Sequence, residues 1–144
     1  MINILLTFQY PMDSNSERGN LKTRISTPLL IWGGINMTIS IYYLFSTSEL
    51  IKGILLQAFF WGLIDFLLGI IVLFRKKEFV LEKIKKVFLV NTYLDIGYMI
   101  VGILLVLLGG SLFLKGNGFG VIIQGGFLFI IDLVHYIHIK KNLI

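Results

Sequence analysis

Cysteine is absent from this 144-residue chain, which removes disulfides, thiol chemistry, cysteine-ligated zinc and iron–sulfur clusters from consideration. It leaves the redox compartment undetermined. Charge is scarce as well: Asp, Glu, Lys and Arg make up 15% of the residues, against about a quarter in a typical soluble domain. No lysine lies inside a long apolar run, which excludes a lysine-linked retinal. The opening residues, Met1 to Met12, lack a basic n-region, their apolar part (Ile2 to Leu6) is short, and no small-residue cleavage site follows. They do not read as a secretory signal.

What the chain has in abundance is apolar sequence: 56% hydrophobic residues, with 12 Phe, 6 Tyr and 15 Gly. Several runs approach the ~20 residues needed to cross hydrocarbon, which places the chain in the membrane class. The expected fold is all-α, a four-transmembrane-helix antiparallel bundle. Residues 1–27 read as a polar cytoplasmic leader and 28–144 as the membrane domain. The spacing predicts helices over about 28–45, 52–74, 87–112 and 119–139. Pro28 suits the first turn of helix one, with Ser26 or Thr27 as its cap. Lys115-Gly116-Asn117-Gly118 reads as a tight turn before helix four. Between helices two and three, residues 75–86 form a basic amphipathic segment expected to lie at the headgroups, touching anionic lipid.

The net charge of +5 does not point to nucleic acid, because the basic residues sit at the ends of the apolar runs. Three Lys/Arg precede helix one, six lie in 75–86 and two close the chain, while only Lys52 and Lys115 fall on the opposite side. By the positive-inside rule both termini and the middle connection are cytoplasmic, in a multi-pass protein of the plasma membrane.

Each run carries polar groups. Asn91, Asp95 and Tyr98 recur at i, i+4 and i+7, one face of a helix. Measured from the cytoplasmic end of each helix, Asn36, Asp65, Asp95 and Asp132 all lie roughly 10–14 Å deep. Asn91 and His135 form a shallower tier at about 6 Å, and Gln124 shares the Asp132 face. Ionisable groups at such depth are costly and mark functional sites by default. Gly33, Gly62, Gly97, Gly102 and Gly125 would let the backbones approach. Trp32-Gly-Gly-Ile-Asn36 also echoes Trp61-Gly-Leu-Ile-Asp65 as a short internal repeat.

Three functional readings follow. Crowded carboxyls share protons, so the layer suits binding of a small ligand, lipid, ion or proton, in an oligomeric carrier or a simple binder. Trp32 and Trp61, with Tyr93 and Tyr98, would line a pocket for an apolar or quaternary-ammonium ligand. Alternatively, Asp132, His135 and Asp95 would hold a divalent metal and activate water in an intramembrane hydrolase. In the third reading the polar groups are interhelical glue in a structural or assembly subunit. No cofactor is implied. The expected partners are the bilayer, a small ligand, lipid or ion, and further copies of the chain.

The order Trp32-Gly-x-x-Asn36, Asn91-x-x-x-Asp95-x-x-Tyr98-x-x-x-Gly102, then Gly116-x-Gly118 and Gln124-Gly-x-Phe-Leu128-x-x-x-Asp132 resembles a family of small multi-pass membrane proteins of bacteria and archaea. That family is classed as a domain of unknown function. The resemblance spans about residues 28–136 and implies a four-helix membrane unit with these polar positions. It carries no catalytic role and says nothing of the leader.

Overall fold

A computed structural model describes residues 15–76 and 80–142 of the chain. The expectations for residues 1–14 and for Lys77, Glu78 and Phe79 of the basic segment lie outside the described residues. The fold is all-α. Helix α1 runs Asn15–Ser40 and continues into a 3₁₀ turn, Ile41–Leu44. Helices α2 (Glu49–Phe74), α3 (Leu81–Leu108) and α4 (Leu112–Asn142) follow. The close helix pairs are α1 with α2, α2 with α4 and α3 with α4.

Three boundaries differ from the sequence expectation, each for a physical reason. Pro28 does not start helix one; it lies inside α1. A proline there removes the donor that would bond the carbonyl four residues back, that of Arg24. His135 on α4 occupies this vacancy, with Nε2 3.1 Å from the Arg24 oxygen, the kind of repair by a neighbouring helix that lets proline persist in a bundle. The leader from residue 15 is therefore helical, and Leu21 and Ile25 pack with Phe88 and Ile139 in a small apolar cluster.

The basic segment is not a separate surface helix. From Leu81 it is the first turns of α3, with Val80 as the cap residue. No Gly or Pro interrupts 80–90, and a Lys85–Glu82 ion pair of 2.9 Å supports that first turn.

Nor is Lys115–Gly118 a turn. The chain reverses at Gly109-Gly110-Ser111, where Ser111 Oγ accepts from Leu114 N at 3.2 Å. Ser48 caps α2 in the same way, accepting from Ile51 N. The two starts share a pattern, Ser48-x-x-x-Lys52-Gly53 and Ser111-x-x-x-Lys115-Gly116, and the two glycines meet. A β-carbon on Gly53 would press into Phe113 and Asn117 backbone, and one on Gly116 into the Leu50 carbonyl.

The other two close pairs also cross at glycines. A β-carbon on Gly33 would lie 2.6 Å from the Gly62 oxygen and 2.7 Å from Phe66 N; one on Gly62 would lie 2.9 Å from the Gly33 oxygen and 3.0 Å from Met37 N. Each glycine thus faces the other's carbonyl and the amide four residues beyond, so the Trp-Gly-x-Ile repeat meets itself in local two-fold fashion. Gly102 and Gly118 repeat this reciprocity between α3 and α4. Small residues at crossings are how helices pack where solvent gives no hydrophobic drive. Gly97 is the exception among the predicted glycines, with nothing within 4 Å of the position a β-carbon would take.

Burial is inverted relative to a soluble domain. Among the described residues the buried side chains are six hydrophobic ones against ten polar ones, Ser26, Asn36, Ser40, Asp65, Thr92, Asp95, Asn117, Gln124, Asp132 and His135. Large apolar residues cover the outside of every helix, for example Ile31, Ile35 and Ile39 on α1 and Ile100, Leu104 and Leu107 on α3. Three helices, α2, α3 and α4, are long and apolar enough to cross a membrane. α1 falls short of the fourth expected span because its first half carries the polar leader.

Candidate functional site

Two of the inward polar residues stand beside the Gly33–Gly62 crossing. Asn36 stands one turn after Gly33, and Asp65 one turn after Gly62. They do not form a single layer. Asn36 pairs with Gln124 and Trp32: Trp32 Nε1 donates to Gln124 Oε1 (2.7 Å), Gln124 Nε2 donates to Asn36 Oδ1 (2.7 Å), and Asn36 Nδ2 donates to the Trp32 carbonyl (2.8 Å). This closed ring of amides and indole joins α1 to α4, and Gln124 is 2% exposed. The Trp32 ring stacks on Phe127, centroids 4.0 Å apart.

The three aspartates gather elsewhere, on α2, α3 and α4, close enough for the charge of Asp95 to act on Asp65 and on Asp132. Asp132 has a partner, the side chain of Asn91. Asp65 and Asp95 are 1% and 3% exposed, and the Oδ2 atom of each has no hydrogen-bond partner. A buried carboxylate oxygen without a donor is unusual and costly. One turn away on the same two helices, Trp61 and Tyr98 meet edge to face at 5.2 Å.

His135 stands apart from the carboxyls. Its Nδ1 is 2.7 Å from the Ile131 oxygen and its Nε2 faces Arg24 O, while the ring stacks on Phe88. Sequence reasoning passed over a further, half-buried pair, Gln57 Nε2 donating to Asn117 Oδ1 at 2.7 Å. The signal was present: two amides in otherwise apolar α2 and α4, near the Ser-x-x-x-Lys-Gly starts.

Apart from Ser26 and His135, the buried polar positions fall within residues 28–133, and over that span the sequence matches the family of unknown function DUF6992. The chain belongs to this family. No curated protein and no solved structure matches it.

For this DUF6992 chain, the geometry gives the hydrolase reading no support. Both His135 nitrogens face carbonyl oxygens, so neither presents a lone pair to a metal without losing that contact. Among the described residues no three His, Asp or Glu side chains converge as a metal-ligand set. The predicted aromatic pocket also divides. Trp32 is hydrogen-bonded and stacked, Tyr93 is 67% exposed, and only Trp61 and Tyr98 border the aspartates. An apolar groove of about 560 Å³ does exist, between the end of α1 and α2. It is lined by residues such as Met37, Tyr43, Leu55 and Phe59 and contains none of the predicted site residues.

Proposed function

We propose that this DUF6992 chain is a multi-pass integral membrane protein that binds a cation, a proton in the simplest case, between Asp65 and Asp95. The observation that carries the reading is the pair of buried, unpartnered Oδ2 oxygens, Asp65 on α2 and Asp95 on α3. A cation is the complement that such oxygens lack. The titratable groups at this centre are Asp65 on α2, Asp95 on α3 and Asp132 on α4; His135, one turn along α4 from Asp132, faces the Ile131 and Arg24 carbonyls instead. Asn91 already satisfies Asp132, which leaves the other two carboxyls to exchange their partner.

In this reading α1 crosses the bilayer with the three longer apolar helices, its Ile31, Ile35 and Ile39 facing lipid. The termini and the 75–80 connection lie in the cytoplasm, as the Lys/Arg asymmetry requires. Infrared difference spectra of the purified protein in nanodiscs, recorded across a pH titration, test the site. A carboxyl band that titrates and is lost in both Asp65→Asn and Asp95→Asn is the expected result. Spectra in which either variant keeps every titrating carboxyl band of the wild type would reject the proposal.

A further inference from the structure

We propose that the seam between α2 and α3 admits a lipophilic organic monocation from the bilayer, whose charge pairs with Asp65 and Asp95 and whose apolar body rests on Trp61 and Tyr98. The inference rests on the cation site proposed above and names its ligand class.

The four helices are joined very unevenly. α1 and α2, α2 and α4, and α3 and α4 each cross at reciprocal glycines. α1 and α4, which do not cross closely, are tied by the Trp32–Gln124–Asn36 ring and by His135 on Arg24. The α2–α3 seam has neither device. No hydrogen bond joins these two helices among the described residues, and no glycine of one meets the other. What spans the seam is the Trp61–Tyr98 ring contact and, beside it, the two aspartates. A contact between rings can be parted and re-formed without leaving polar groups unpaired.

The chemistry of the seam selects the ligand. Ile64 and Leu68 on α2 and Leu94 and Ile96 on α3, the neighbours of the two aspartates, are all exposed. A hydrated inorganic ion arriving from that side would meet only apolar surface, whereas a lipophilic cation partitions there. Tyr98 is 40% exposed and Trp61 is half-buried, so the aromatic pair keeps ring surface accessible one turn from the carboxyls. Aromatic faces beside an anionic centre are the arrangement that recognises a diffuse positive charge. Binding balances as an exchange: one monocation enters and one carboxyl proton leaves.

The test uses tetraphenylphosphonium, a permanently charged probe without N–H groups, on the purified full-length protein in weak buffer. Isothermal titration calorimetry follows binding, which keeps the readout independent of Trp61, and a pH indicator follows proton release. Saturable binding with proton release is expected. Trp61→Ala should weaken binding roughly ten-fold or more while its carboxyl band still titrates, showing the site intact, and Trp61→Phe should restore most of the affinity. Asp95→Asn should lose both binding and proton release. Trp61→Ala binding as tightly as wild type would overturn the proposal. So would release of protons by sodium or potassium without saturable binding of the probe, although that result would leave the cation site standing. Asp65→Asn and Asp95→Asn each keeping every titrating carboxyl band of the wild type would remove both.

Discussion

Replacing Asp95 by Asn and Gln124 by Leu should move stability in opposite directions, although both residues are buried and polar. Gln124 makes two side-chain bonds to α1, to Trp32 and to Asn36. Interhelical bonds of this kind average about 0.6 kcal/mol in membrane bundles and reach ~1.7 kcal/mol. Leucine removes both and also leaves a half-buried indole N–H and a buried amide oxygen without partners, each worth up to about 1–3 kcal/mol. These contributions overlap, and a loss of about 2–4 kcal/mol is expected. Asp95 differs because its Oδ2 has no partner to lose. Asparagine keeps the shape, removes the like-charge interaction with Asp65 and supplies an N–H beside an oxygen that lacks one. Asp95→Asn should therefore be neutral or gain up to about 1.7 kcal/mol. SDS-induced unfolding of the purified proteins, followed by tryptophan fluorescence, measures both changes on one scale. If Asp95→Asn costs as much as Gln124→Leu, the Asp95 carboxyl is glue and the distinction between a structural and a binding set of polar residues fails.

Two further predictions follow from the same contacts. His135→Ala should cost about 1–3 kcal/mol because it orphans the Arg24 carbonyl, and much less in a Pro28→Ala background, where residue 28 again supplies the helical donor; strictly additive costs in the double-mutant cycle would show that His135 does not serve that carbonyl. With no native cysteine, single substitutions report topology cleanly: Lys76→Cys and Lys140→Cys should react with an impermeant thiol reagent only from the cytoplasmic face, and Thr47→Cys and Gly110→Cys only from the other. Labelling of all four from one face would refute the four-span arrangement.

Much of the helical fold was legible because the apolar runs are a one-dimensional feature. The buried polar identities were legible too, since an amide or carboxyl in an apolar run is visible without coordinates. Their pairing was not. Counting from the expected helix starts places Asn36 level with Asp65, but α1 and α2 cross antiparallel at Gly33 and Gly62, so the two residues, each one turn past its glycine, fall on opposite sides of the crossing. Glycine was ambiguous for a related reason. Gly116 and Gly118 have the composition of a turn, yet both serve crossings, and the true reversal at Gly109-Gly110 looks like more apolar helix. Pro28 carried two meanings, first turn or interior, and its resolution depended on His135, a residue distant in sequence. The edge of the leader was hidden because polarity was read as separation, whereas Leu21 and Ile25 supply an apolar stripe that packs.

The most direct test of the central claim is an experimental density map of the protein in nanodiscs at a resolution that shows ordered solvent. Discrete density for a water, an ion or an added cation between Asp65 and Asp95, within hydrogen-bond reach of both Oδ2 atoms, is the predicted result. Both Oδ2 atoms bonded to protein donors, with no space between the two carboxyls, would contradict it.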